Sequence, residues 1–229
     1  PAFCEALKTV TNVGKSSLLT RISGIYLYAD ASKRILELIG TDVITSVVKR
    51  IRDADISVGG EIILPPIVLE ILRKTKEERV TIETNENGAL GLSFGSARYL
   101  LVTKPANEFP KSELVFPTAY VSVSGLLSLL KHAAFAAETK GDKRELQGVT
   151  LRLTPGISTA EAMNQKRMAS AVNRNAADGE TAMKLHISAV NILFSLLSAD
   201  KTVYAGTADQ RAVFVCGDTV FSTVMMNRT

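Results

Sequence analysis

The chain repeats itself at long range, and this limits its fold more than any other feature. Four short matches recur in the same order at a spacing of about 122 residues. Ala6-Leu7-Lys8-Thr9-Val10 matches Leu129-Leu130-Lys131-His132-Ala133, and Ile22-Ser-Gly-Ile-Tyr-Leu27 matches Leu146-Gln-Gly-Val-Thr-Leu151. Leu69-Glu-Ile-Leu72 then matches Val190-Asn-Ile-Leu193, and Phe94-Gly95 matches Cys216-Gly217. One such match carries no weight, but four in one order do. The first pair has helical spacing, with Phe3, Ala6, Leu7 and Val10 forming an apolar stripe, whereas the second alternates as a half-buried strand does. Each copy reads as helix, three strands, helix, three strands, with the Gly95 and Gly217 pairs in turns between strands.

The segment Pro105-Ala-Asn-Glu-Phe-Pro110 and the Lys-Ser-Glu after it interrupt both periodicities and read as a linker. The expected organisation is a first domain over 1–104, a linker over 105–117 and a second domain over 118–229. Short leucine-rich helices beside many alternating strands predict an α+β fold, with helices on one face of antiparallel sheet. Aromatics are only 6% and tryptophan is absent, so the cores must be built from Leu, Ile, Val and Ala. A strand at Ala119–Val123 precedes the first helix of the second copy, whereas the first copy begins almost inside its helix. The chain stops at Thr229, where a linker like that starting at Lys104 should follow. We therefore expect part of a longer protein.

Several function classes lose their support here. Asn12-Val-Gly-Lys-Ser-Ser-Leu-Leu19 imitates the end of a phosphate-binding loop, G-x-x-x-x-G-K-[ST]. The first glycine of that loop falls on Thr9, and a helix rather than a strand leads into it. Thr139-Lys-Gly-Asp142 imitates a guanine-reading motif, but no D-x-x-G lies between the two. A P-loop-like nucleotide-binding protein is thus the weaker alternative. His132 and His186 are the only histidines and sit in unrelated settings, which supports neither a hydrolase nor a metal site. Cys4 and Cys216 belong to no CxxC pair and suit a reducing compartment. No cofactor is expected. The longest uncharged helical run, Ile187–Ala199, is too short to span a bilayer, and no signal peptide opens the chain, so a cytoplasmic location is expected. A net charge of +4 and a pI near 9.1 permit nucleic-acid binding.

Several segments, taken in order, resemble the bacterial DNA polymerase III beta sliding clamps. They are Leu36-Glu-Leu-Ile-Gly-Thr-Asp42, Leu64-Pro-Pro66 leading into Val68-Leu-Glu-Ile-Leu-Arg73, Phe94-Gly-Ser-Ala-Arg-Tyr99, Lys104-Pro-Ala-Asn-Glu-Phe-Pro110 and Leu146–Leu151. The resemblance covers the chain as that family's first and second domains. It implies tandem clamp domains forming an arc of a ring, with sheets outside and basic helices inside. It also implies a non-catalytic processivity factor that encircles duplex DNA without reading its sequence. Subunits would close head to tail into six domains, as a homodimer of three-domain chains or a trimer of two-domain chains. In a bacterium this would work on the nucleoid.

Cations that suit a sliding channel are Lys8, Lys15, Arg73, Lys74, Lys131, His132, Lys140, Lys143 and Arg144. Arg73 and Lys74 also complement a helix C-terminus, and the helix around Val190–Leu197 carries no charge. The family's groove for short peptides of polymerase and clamp loader maps onto Leu146, Met163, Gln165, Lys166, Arg167 and Met168. The family usually has glycine where Gln165 stands, so the turn is expected to change. Met163 and Met168 suit either strand core or an adaptable binding surface. The ring contact maps onto an edge strand carrying Arg98, Tyr99 and Leu101.

Overall fold

The computed structural model describes residues 2–14, 24–84, 88–110, 115–174, 176–198 and 201–226. The chain divides into two units, Pro1–Glu113 and Leu114–Thr229. Both are α+β, and every strand pair described within them is antiparallel.

The first unit opens with α1 (Ala2–Gly14), followed by β1 (Ile25–Asp30), β2 (Ile35–Thr41), β3 (Thr45–Ile51) and β4 (Gly60–Leu64). Next come α2 (Ile67–Leu72), β5 (Thr81–Thr84), β6 (Leu90–Phe94) and β7 (Ala97–Leu101). Its strands order as β4-β1-β2-β3 and β5-β6-β7. The apolar stripe of α1 is buried as its spacing requires: Ala6, Leu7, Val10 and Val13 are all shielded, against β2 and β3. The approach is close at Gly40 on β2, where an added Cβ would sit 2.2 Å from the Val10 carbonyl oxygen. The Thr11 hydroxyl donates back to the Leu7 carbonyl, so this buried polar group is satisfied within the helix.

The second unit begins with β8 (Val121–Val123) and α3 (Leu126–Ala134). A 3-10 turn (Arg144–Leu146) leads to β9 (Gly148–Leu153), β10 (Ile157–Met163), β11 (Met168–Arg174) and β12 (Thr181–His186). The unit ends with α4 (Ile187–Leu196), β13 (Val203–Ala208), β14 (Arg211–Cys216) and β15 (Thr219–Val224). Its strands order as β11-β10-β9-β12 and β15-β14-β13-β8. Leu126, Leu129, Leu130, Ala133 and Ala134 make the buried face of α3, which lies on β9, β10 and β11.

Four strands, not three, separate the helices of each unit. The additional ones are β4 and β12, which end two residues before α2 and immediately before α4. They reveal a finer repeat. In the second unit β8-α3-β9-β10-β11 and β12-α4-β13-β14-β15 share one order, and each leading strand joins the other half's sheet: β8 pairs with β13, and β12 with β9. In the first unit β4 pairs with β1 in the same way. Among the described residues no strand flanks β5 as β8 flanks β13. The paired glycines behave alike: Gly95 and Gly217 turn β6 into β7 and β14 into β15 at φ 53° and 57°, a region open to glycine at little cost.

Residues 105–110 are not a free tether. Ala106–Glu108 form a 3-10 turn, and Phe109 is 5% exposed, its ring stacked on Tyr26 at 5.1 Å. The two prolines stop helix and strand periodicity, yet the aromatic between them completes the core of the first unit.

The phosphate-loop imitation fails on its backbone. Thr9 lies inside α1, where its hydroxyl donates to the Glu5 carbonyl at 2.9 Å, and the helix continues through Val13 to Gly14. No strand precedes Gly14 among the described residues. Lys15, Ser16 and Ser17 lie outside them.

Candidate nucleic-acid and peptide interfaces

In the first unit, α1 packs against α2 and brings Lys8 near Arg73. Lys8 is already engaged: its Nζ donates to Glu5 Oε1 at 2.6 Å, one turn away. That hydrogen bond, with the charge pairing behind it, holds Glu5 below its usual carboxylate range and Lys8 above its usual amine range. Arg73 is the C-cap of α2, its N–H donating to the Leu69 carbonyl at 3.0 Å, and both Arg73 and Lys74 are exposed. These two are well placed to attract an anion and to complement the end of α2. Lys15 lies outside the described residues.

In the second unit, Lys131 and His132 stand on the exposed side of α3. The His132 Nδ1–H donates to the Ser128 carbonyl at 2.7 Å. Lys140, Lys143 and Arg144 are exposed together on the segment between α3 and β9. Helix α4 has no charge, and its exposed positions are Ser188, Asn191 and Ser195.

Five of the candidate peptide-groove residues, Met163 and Gln165 to Met168, lie on one hairpin. Met163 at the end of β10 is directly opposite Met168 at the start of β11, and both are exposed, Met168 at 61%. The strand-core reading of the pair therefore does not hold. Between them Asn164 organises the turn: its Oδ1 accepts from the Lys166 and Arg167 backbone N–H groups at 2.9 and 3.0 Å. Its own N–H donates to the Arg167 carbonyl at 2.9 Å. Gln165 is not among the residues with positive φ, so this asparagine turn holds the hairpin without a glycine. Arg167 crosses to the end of α3, where its Nη2 donates to the Phe135 carbonyl at 2.6 Å and its guanidinium lies 5.5 Å from the Phe135 ring centre. Leu146 is half-buried, and its carbonyl accepts from the Glu138 N–H at 2.9 Å.

Phe135, 59% exposed, is a residue that sequence reasoning missed. The available signal was an aromatic off the buried stripe of α3, at its C-cap, where water rather than core is expected.

Strand β7 is an edge of the β5-β6-β7 sheet. Arg98 reaches Glu83 at 3.9 Å, and the Tyr99 ring stacks on Phe94 at 5.7 Å. Leu101 is half-buried. The apolar side chains that face solvent are Leu100, 72% exposed, and Val102 beyond the strand. Strand alternation puts them on the face of Arg98, opposite Leu101.

The fold is shared with known proteins. Residues 2–113 match the family model described as DNA polymerase III beta subunit, N-terminal domain. The beta sliding clamp of Pseudomonas aeruginosa is 28% identical over 172 residues, covering 73% of this chain and 46% of that protein. Among solved structures, a DNA polymerase sliding clamp from Pseudomonas aeruginosa superimposes with a TM-score of 0.89 at 22% identity. The beta subunit from DNA polymerase of Streptococcus pyogenes gives 0.90 at 18% identity. Each covers the whole of this chain and 63% of its own. The chain thus spans about half of the curated relative's length. Residues 2–113 are thus similar to the N-terminal domain of the DNA polymerase III beta subunit, and the two units together have the fold of the matching part of the solved sliding clamps.

Proposed function

We propose that the chain acts as a DNA polymerase processivity factor: a ring-forming clamp subunit that surrounds duplex DNA and tethers the replicative polymerase, catalysing nothing itself. The match of residues 2–113 to the beta subunit family carries this reading. Physical chemistry agrees with it. A clamp that slides must attract phosphates without reading bases, which calls for dispersed cations on rigid elements. Arg73 and Lys74 at the end of α2, Lys131 on α3 and the Lys140–Arg144 segment meet that need. Six such units close a ring, so three copies of a two-unit chain or two of a three-unit chain would suffice. The exposed edge of β7, with Arg98, Tyr99 and Leu100, is the surface we assign to ring closure.

We assign the Met163–Met168 hairpin, with Leu146 and Phe135, to short apolar peptides of polymerase and clamp loader. Flexible methionines beside an aromatic accommodate more than one sequence. The protein would work in the bacterial cytoplasm, on the nucleoid. The phosphate-loop alternative has neither its strand nor its first glycine.

The test is equilibrium binding to linear duplexes of unrelated sequence at rising salt. Affinity should be modest, indifferent to sequence and steeply salt-dependent. Lys131→Gln or Arg144→Gln should each lower the slope by about one unit. Equal affinity at all salt concentrations, or strong preference for one sequence, would count against the proposal.

A further inference from the structure

The segment between α3 and β9 carries Lys140, Lys143 and Arg144, and a run of hydrogen bonds ties it to α4. His186 ends β12 and is the N-cap of α4. Its Nδ1 accepts from the Ser188 backbone N–H at 3.2 Å and lies 2.7 Å from the Ser188 hydroxyl. An accepting Nδ1 puts the single proton of a neutral imidazole on Nε2. That atom faces Gln147 Oε1 at 3.2 Å. Gln147 passes the connection on, its side-chain Nε2 donating to the Gly141 carbonyl at 2.8 Å. Its backbone carbonyl accepts from Ile187 N–H at 2.8 Å, and its own N–H donates to the Arg144 carbonyl at 3.0 Å. Imidazole thus caps the helix with one nitrogen and holds the cationic segment with the other. Serine, asparagine or aspartate at this position is too short to reach both.

We propose that His186 is a positioning residue for DNA contact: through Gln147 it fixes Lys143 and Arg144 against the start of α4, and a second proton on its ring weakens that hold by breaking the α4 cap and setting a like charge beside Arg144. The proposal rests on reading this face as DNA-facing. A proton on Nδ1 would remove the acceptor from Ser188 N–H and place positive charge at the positive end of α4. The charged groups around it are Arg144 on the 3-10 turn and Lys184 two residues back on β12, whose stem lies against Gly148. Glu138 lies beside Gly141 at the far end of the segment. Burial, then the Arg144 charge, holds the His186 ring below its usual 6.5. The clip is therefore closed at neutral pH and opens as pH falls through a value below 6.5.

His186→Asn separates the two duties, because asparagine still caps a helix but cannot reach Gln147. Amide hydrogen exchange on the whole chain at neutral pH should show Leu146 and Gln147 exchanging up to about tenfold faster in this variant, with α4 amides unchanged. The wild type should show faster exchange in the same segment, and at the start of α4 as well, after correction for intrinsic rates, at pH below the His186 transition. Binding of a fluorescent linear duplex should weaken about twofold to threefold in His186→Asn, as in Arg144→Gln. Unchanged exchange in the segment overturns the clip whatever DNA does. Faster exchange with DNA binding unchanged in both variants overturns the proposal through the DNA reading on which it rests. Faster exchange with weakened DNA binding bears it out.

Discussion

Arg167 donates from Nη2 to the Phe135 carbonyl at 2.6 Å and lays its guanidinium 5.5 Å from the Phe135 ring centre. One side chain therefore supplies a cation to the negative end of α3 and fixes the aromatic edge of the Met163–Met168 surface. Replacing Arg167 with alanine should cost about 1 kcal/mol of stability, from one charge-assisted bond and an exposed cation–π contact. Urea denaturation measures this. Lysine should restore little, because it cannot bond the carbonyl and lie over the ring with the same fork geometry.

Glu5 restrains Lys8. Glu5→Gln should strengthen binding to linear duplex at low salt, and Lys8→Gln should weaken it only slightly, because the Lys8 charge is already paired at 2.6 Å. Anisotropy titrations with both variants decide this. Equal and large losses in both would show that the pair acts as a unit.

Phe109 fills the first unit's core beside Tyr26. Phe109→Ala should destabilise the first unit by about 3 kcal/mol and leave the second close to wild type. Denaturation followed by hydrogen exchange in each unit separates the two.

Asp30 is held at about 2, first by the Ser32 hydroxyl, then by the Lys33 backbone N–H. Its folded value lies below its unfolded value of about 3.8, so its contribution is complete above that pH. It is lost as pH falls towards 2. A pH series of thermal midpoints should flatten over this interval in Asp30→Asn.

The long-range repeat, the amphipathic helices and the glycine turns were legible because each has a local signature. Val10 and Leu130 repeat at helical spacing, and Gly95 and Gly217 mark turns that need positive φ. The inner repeat of each unit was not legible. Strands β4 and β12 are short and run almost directly into helices, and their partners β1 and β9 are chosen by tertiary topology. Phe109 looked like linker because prolines on both sides hide its packing. The asparagine turn at Asn164 did what a glycine was expected to do, through a side-chain acceptor that a residue-by-residue match overlooks. On β7, burial separated Leu100 from Leu101, a one-residue register that alternation alone left open. Arg167 was found by its matching position, but Phe135, thirty-two residues away, came to light only when α3 met the hairpin.

A protein that encircles DNA is held on it by topology rather than by affinity, and retention on a closed circle measures this. The protein would be incubated with nicked circular duplex and a bacterial clamp loader and passed through a gel-filtration column at salt that strips it from linear duplex. It should stay with the circle and be released by a single cut of a restriction enzyme. Equal loss from circular and linear DNA at the same salt would show that the protein does not encircle DNA.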